Sequence, residues 1–470
     1  MDQLVYASAT EQATLVRAGS VSPVELVHTY LERIERLDPE LNAFVTVAAE
    51  QALADARTKE AVRTDAPFHG VPIAIKDLHE TAGLRTTYSS RLFADHVPTL
   101  DSAVVRRLRD AGFVVLGKTN TPEFGTLPVT ESLLNGACRN PWDLARTPGG
   151  SSGGSAVAVA AGLCGVAEGG DGGGSIRIPA ACCGLVGIKP ERGRVSRAPH
   201  GQGVLGLSTV GPITRTVRDA AALLDVMTGY EPGDAAWRPA DEPRLVDECG
   251  PAPPTSRIAV TTTPPIEAAV DRSAAAAAVA CARMLEGLGH FVEDATPPWK
   301  SDELKPEFRK VWQVGPPLFG VDHLESMEPI NRALADDALA TSSIELALAI
   351  TRLQTFARRV VAFWNDFDLV VTPTLARAPV PIGWTFSESD DPRRQFERGY
   401  SFTPFTPLVN VTGQAAASLP WGHDDEGLPV GVQLIAAPGA EATLFRVAAQ
   451  IEDAQPWAHL RPPLAAAAAA

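Results

Sequence analysis

Hydrophobic and polar positions along the chain follow two periods in turn. Ser22-Pro23-Val24-Glu25 sets a hydroxyl cap, a proline at the first helical position and a glutamate three residues after the cap, which opens a helix. Val24, Val27, Leu31, Ile34 and Leu37 then recur at helical spacing, predicting an amphipathic helix ended by Asp38-Pro39. The period shortens from Val71 to Leu78, an apolar run after Gly70 that reads as a strand with Lys76 near its end. A helix over Val104 to Leu108 and a buried strand from Gly112 to Gly117 continue the alternation. It returns in strands at 257–260, 290–292, 367–371 and 430–435 and in a helix across 273–288. The pattern predicts an α/β fold with a largely parallel or mixed sheet.

Composition narrows the function classes. Of the 470 residues, 45% are hydrophobic and 21% charged, as in ordinary globular proteins. A net charge of −15 opposes nonspecific attraction to nucleic acid or anionic lipid, so neither is expected as a partner. The start lacks a basic, apolar secretory signal, and no stretch reaches the roughly eighteen apolar residues of a membrane span, so a cytoplasmic protein without a membrane is expected. Six cysteines without a CxxC pair make neither a zinc site nor a disulfide framework; they are expected as buried free thiols, and no metal or other cofactor is expected. The Pro, Asp and Glu-rich stretch 231–256 reads as a surface excursion, because strand and helix patterns resume on both sides. One domain over residues 1–464 is therefore expected, with the alanine tail 465–470 set apart from the functional reading.

The chemistry concentrates between Thr147 and Pro190, where two serine-bearing glycine loops bracket a small-residue helix predicted at Ala156 to Ala161. In Asp171-Gly172-Gly173-Gly174-Ser175, successive amides without side-chain shielding precede a hydroxyl, the arrangement an oxyanion hole requires. A phosphate cradle would need Lys-Ser or Lys-Thr after the glycines, and none follows. Gly149-Gly150-Ser151-Ser152-Gly153 matches a nucleophile elbow literally, but a loop with two prolines precedes it where a buried strand is required. The late histidines that such a triad would need, His423 and His459, have surface surroundings.

Joined to the lysine, the two loops resemble the amidase signature family. The resemblance rests on Gly149 to Ala156, Gly173 to Ala180, Cys183-Gly184 and Gly187 to Pro190, with flanking matches at 70–73, 117–120, 140–142, 410–414 and 428–433. It implies a central mixed sheet of about eleven strands wrapped by helices. It also implies Ser175 as nucleophile, Ser151, 24 residues earlier, as the bridging serine, and Lys76 as the base. The amides of Gly172, Gly173, Gly174 and Ser175 become the oxyanion donors, and Gly125 lies beside the bound acyl group. Two departures stand out: Gly170 replaces a hydroxyl or amide residue, and Gly172 a larger one.

The chemistry is coherent apart from the resemblance. A serine hydroxyl needs a base, a charged ammonium cannot serve, and burial among Val71, Ile73 and Ile75 would disfavour the charge on Lys76. Asp171 is expected to anchor the loop and Arg177 to have a structural partner, while turn or cap hydrogen bonds suffice for Ser152 and Ser155. Aromatic residues at 308–319 and 384–405 are candidates for an apolar channel or for packing over the sheet. The expected partner is a small-molecule amide, aryl or alkyl, with nylon-type oligomers, cyclic amides and carbamates in view; a homodimer is the assembly that goes with this reading. Two rivals stand beside this reading: the glutaminase subunit of a tRNA-dependent amidotransferase, and a catalytically silent binding protein.

Overall fold

The computed structural model describes residues 2–238, 242–250 and 253–467. The strands are β1 (Phe44–Val47), β2 (Pro72–Lys76), β3 (Val114–Thr119), the short pair β4 (Glu131–Ser132) and β5 (Gly136–Ala137), β6 (Val166–Asp171), β7 (Val186–Lys189), β8 (Thr209–Thr214), β9 (Arg257–Val260), β10 (Phe291–Asp294), β11 (Leu369–Pro373), β12 (Ala416–His423) and β13 (Pro429–Ala436). All but β4 and β5 form one 11-stranded sheet in the order β1-β3-β2-β6-β8-β7-β12-β13-β11-β9-β10. It is mixed: β2 runs parallel to β3 and β6, whereas β6, β8, β7 and β12 pair antiparallel in turn. An α/β fold with this sheet agrees with the expectation.

Strand β2 shows how the sheet serves two faces. Ile73 and Ile75 pack into one apolar cluster with the Val217–Met227 and Glu441–Ala454 helices, while Ala74 joins the cluster on the opposite face. By the two-residue period of a strand, Lys76 shares the face of Ala74. On that face lies the helix Gly153–Ala160, in which every residue is buried. Only small residues allow this, because the helix approaches the strands without room for side chains. At Gly154 an added Cβ would lie 2.3 Å from the backbone nitrogen of Asn120 and 2.5 Å from the carbonyl oxygen of Ala43.

Several elements depart from the sequence reading. The first long helix, Pro23–Leu41, has the expected capping box of Ser22 and Glu25 but continues through Pro39. Asp38 holds this end, its carboxylate accepting from the amides of Ala43 and Phe44, and Asn42 closes the helix in the left-handed region. A proline in the last turn is tolerated where side chain and cap replace what the ladder loses. The small-residue helix begins at Gly153, earlier than the expected Ala156, since its glycines are held in place by tertiary contacts. The 231–256 stretch is partly anchored by a 3₁₀ turn, Leu245–Cys249, with Leu245 and Val246 buried; residues 239–241 and 251–252 lie outside the described residues. In the alanine tail, Ala465 is buried within a short helix, Pro463–Ala467, and 468–470 lie outside the described residues. Of the cysteines, five are buried and Cys249 is partly so, all as free thiols. No helix among the described residues is long and apolar enough to cross a membrane.

Because the obstacles at Gly154 are backbone atoms that cannot swing aside, Gly154→Ala is expected to destabilise the fold by about 2 kcal/mol or more, as overpacked cores do. Gly201, with nothing within 4 Å of its would-be Cβ, is the control. Thermal unfolding checks this: Gly154→Ala lowers the midpoint and Gly201→Ala does not, whereas equal midpoints would contradict the packing described.

Candidate active site

Three loops converge at the ends of β2 and β6. Lys76 closes β2, is 1% exposed, and donates from Nζ to Ser151 Oγ at 2.7 Å and to the carbonyl of Gly170 at 3.4 Å. Its own amide donates to Glu168 Oε2 at 3.0 Å, and His79 Nδ1 lies 2.8 Å from Glu168 Oε1, so a buried carboxylate and imidazole support the lysine from behind. Burial drives the Lys76 ammonium down to about 7, with Glu168 and Asp171 opposing the shift and Arg197 adding to it. At neutral pH a large share of this amine is uncharged and has a lone pair to offer.

A lowered pKa does not by itself single out Lys76. Burial also brings Lys189 to about 7 and Lys118 to about 8. Lys189 Nζ donates to the Pro190 carbonyl, and Lys118 Nζ to the His79 carbonyl and Thr86 Oγ1, near Asp77. Among the three, Lys76 alone meets a serine hydroxyl, and that contact distinguishes it.

Ser151 ends a loop that glycine alone can form: a Cβ on Gly150 would lie 2.5 Å from the Val129 carbonyl oxygen, and Gly149 has φ +77°. Gly125 borders the same hydroxyl, its would-be Cβ 3.1 Å from Ser151 Oγ. Ser175 lies just past β6, and its carbonyl accepts from the Ser152 amide at 3.2 Å, which ties the two loops together. The Ser175 hydroxyl makes no hydrogen bond among the described residues; the structure brings Lys76 and Ser151 into contact and Ser175 alongside them.

The glycine loop is shaped by Asp171. Its carboxylate accepts from the amides of Gly174 at 2.8 Å and Ile176 at 3.2 Å, meets Arg177 through both oxygens at 2.9 and 3.0 Å, and receives Asn410 Nδ2 at 2.8 Å. Arg177 reaches on to Gln433 and the Thr406 carbonyl. Burial alone would raise the Asp171 carboxyl, but Arg177, Lys189 and Asn410 outweigh it and hold it at about 2. The expected anchor and partner roles of Asp171 and Arg177 are thus one network. It also changes the set of free donors: the Gly174 amide is taken by Asp171, while those of Gly172, Gly173 and Ser175 have no partner among the described residues.

Ser152 and Ser155 do more than cap a turn. Ser152 Oγ bonds the carbonyl and amide of Gly170, and Ser155 Oγ donates to the Glu168 carbonyl and contacts Thr119 Oγ1, so both pin the small-residue helix to the strands. Among the described residues no cluster of His, Cys, Asp and Glu is arranged to hold a metal ion.

Beside Ser175 and Gly173 lies a cavity of about 50 Å³ walled by Phe308, Trp312, Phe396 and Tyr400. Of the other aromatic residues in these stretches, Phe319 stacks on Phe124 at 4.4 Å, Phe402 and Phe405 belong to the core, and Phe386 is exposed. A larger cavity near the N-terminal helices touches none of these residues.

The amidase family model matches residues 25–445. The chain belongs to the amidase family. Its relatives include the putative amidase AmiB2 of Mycobacterium tuberculosis (strain ATCC 25618 / H37Rv), 41% identical over 98% of each chain, and the 6-aminohexanoate-cyclic-dimer hydrolase of Paenarthrobacter ureafaciens, 38% identical over 98% of this chain and 97% of that one. The solved structure of 6-aminohexanoate cyclic dimer hydrolase complexed with substrate superposes with a TM-score of 0.93 at 36% identity, covering 98% of this chain and 99% of that one. A bacterial aryl acylamidase of the amidase signature family gives 0.87 at 28% identity, covering 97% of each. This amidase is therefore an amidase signature hydrolase of carbon–nitrogen bonds.

Sequence reasoning missed the support behind Lys76. Glu168 and His79 stand outside the glycine motifs: the pairing of β6 with β2 brings Glu168 to Lys76, and the turn after β2, in which the His79 amide donates to the Lys76 carbonyl, sets His79 against Glu168. Asn410 was visible as part of a flanking match, though its bond to Asp171 was not. Removing the charge at the network's centre is expected to leave Arg177 buried and underpaired: Asp171→Asn should lower stability by about 3 kcal/mol, the scale for breaking a buried ion pair. Denaturant unfolding measures it, and an unchanged midpoint would mean that the network does not hold the loop.

Proposed function

We propose that this amidase cleaves a carboxamide through an acyl-enzyme on Ser175, with Ser151 as proton bridge and Lys76 as base. The observation that carries the reading is the 2.7 Å hydrogen bond between a buried Lys76, whose pKa burial lowers to about 7, and Ser151 Oγ, with Ser175 on the adjoining loop. Ser175 Oγ forms a bond to the carbonyl carbon while its proton passes to Ser151, and Ser151 gives its own to Lys76 Nζ. The carbonyl oxygen takes up negative charge facing the free amides of Gly172, Gly173 and Ser175, with Gly174 shaping the loop through Asp171. As the carbon–nitrogen bond breaks, the proton returns from Lys76 through Ser151 to the departing nitrogen, since an unprotonated amide anion is too basic to leave. Water then repeats the relay on the ester and frees Ser175.

The substrate we infer is an aryl or alkyl amide. The aromatic cavity beside Ser175 supports an apolar acyl group, and the likeness to a cyclic dimer hydrolase and an aryl acylamidase points the same way. A panel of anilides, aliphatic amides and lactam oligomers tests it, with turnover expected on apolar acyl groups and none on small charged ones.

Ser175→Ala, Lys76→Ala and Ser151→Ala are each expected to lower kcat for amide hydrolysis by about three orders of magnitude or more, and a double variant to be little worse than a single one, because one relay is broken either way. Losses that multiply independently would argue against a cooperating unit.

The pH dependence has a definite sign. The uncharged amine is the working form and its pKa is lowered to about 7, so activity is lost as pH falls through that value and present above it. Wild-type kcat/KM for an anilide should rise about tenfold between about pH 6 and about pH 8 and then level. A flat profile would contradict it.

A further inference from the structure

Where the resemblance calls for a larger residue at the first position of the oxyanion loop, this chain has Gly172, and the structure shows what uses the space. A Cβ on Gly172 would lie 2.9 Å from two carbons of the Trp312 indole and 2.7 Å from Ser208 Oγ. The serine hydroxyl can turn away; the indole cannot. Trp312 ends the Leu304–Trp312 helix, is 8% exposed, stacks on Phe308 with ring centroids 5.5 Å apart and planes 18° apart, and donates from Nε1 to the Thr126 carbonyl at 3.3 Å. The edge of the indole therefore fills the space that a side chain at 172 would need, and Phe308 reaches Gly173, whose would-be Cβ is 3.6 Å from the tip of its ring.

The same two rings wall the cavity that opens on Ser175. That cavity is lined by Thr126, Gly173 and Ser175 but by neither Ser151 nor Lys76. A leaving nitrogen must face Ser151, the group that hands it a proton, so the substituent on the other side of the scissile carbon, the acyl group, occupies the cavity.

We propose that Trp312, seated on Gly172, is the specificity-determining wall of the acyl pocket, restricting this amidase to acyl groups that are flat or unbranched next to the carbonyl; this rests on the acyl-enzyme reading above. An α-branched acyl group needs volume on both sides of the chain, and a ring held against the loop backbone leaves one side closed. Side chain at 172 and indole at 312 exclude one another, so the two positions form a unit.

Matched anilides of an unbranched and an α,α-dimethyl acyl group test this, measured as kcat/KM for wild type, Trp312→Phe, Trp312→Ala, Gly172→Ala and the Gly172→Ala/Trp312→Ala pair. Wild type is expected to favour the unbranched acyl group by about thirtyfold or more, Trp312→Ala to reduce the ratio to about threefold or less, and Trp312→Phe to fall between. Gly172→Ala should lower turnover of the unbranched anilide at least about tenfold, and Trp312→Ala in the same chain should recover most of that loss, the signature of coupled neighbours. Counting active sites with a serine-reactive probe and comparing circular dichroism normalises each variant for folded enzyme. Should Trp312→Ala not fold, Trp312→Phe and Gly172→Ala still decide. Ser175-dependent turnover with an unchanged acyl ratio in the Trp312 variants, or a Gly172→Ala variant as active as wild type, overturns the inference while leaving the acyl-enzyme reading intact. Amide turnover that persists in Ser175→Ala overturns that reading and the inference with it.

Discussion

Taking a lysine ammonium out of water is strongly unfavourable, and at Lys76 the surrounding chain does little to make the charge comfortable. Its Nζ meets one hydroxyl and, at longer range, one carbonyl, while the nearby carboxylates of Glu168 and Asp171 are engaged elsewhere, by the Lys76 backbone amide and by Arg177. The amine gives way by shedding its proton near neutrality. The rest of the site depends on this constraint. An uncharged lysine demands a sheet buried on both faces, a helix of small residues that excludes water above β2, and a hydroxyl near enough to use the lone pair. The all-small sequence of the Gly153–Ala160 helix is the local means by which that dry contact forms.

Opposite in sign is the treatment of Asp171. It is as buried as Lys76, yet Arg177 and Asn410 keep it ionised, and the ionised carboxylate holds the Gly174 and Ile176 amides and so fixes the loop bearing Ser175. At the ends of two neighbouring strands, β2 and β6, the fold thus maintains one buried charge and suppresses another. The difference is the number and kind of partners aimed at each, not the depth of burial.

Much of this was legible in the sequence where local rules dominate. The capping box at Ser22, the apolar run of β2 and the glycine loops around Ser151 and Ser175 are dictated by near neighbours, and the long family pattern extended that reading to Lys76 and to a mixed sheet of about eleven strands. What escaped is set by distant packing. Pro39 looked like a helix terminator because the carboxylate of Asp38, which caps the following turn, cannot be recognised from the order of residues. Gly174 looked like a free donor because its neighbour Asp171 could have faced elsewhere. Trp312 and Gly172 gave no shared signal: one reads as an aromatic of a candidate channel or packing segment and the other as a departure from the family pattern, and only their contact joins the two.

The central claim is that Lys76 acts twice, drawing the proton from Ser175 through Ser151 and returning it to the leaving nitrogen. An alkoxide departs with little help and an amine does not, so the two duties separate when the leaving group is changed. The decisive measurement compares wild type with Lys76→Ala on an anilide and an ester of the same acyl group at one mildly alkaline pH. The account predicts that the ester rate falls by a distinctly smaller factor than the anilide rate. Equal factors for both substrates would contradict it, leaving Lys76 without the second duty.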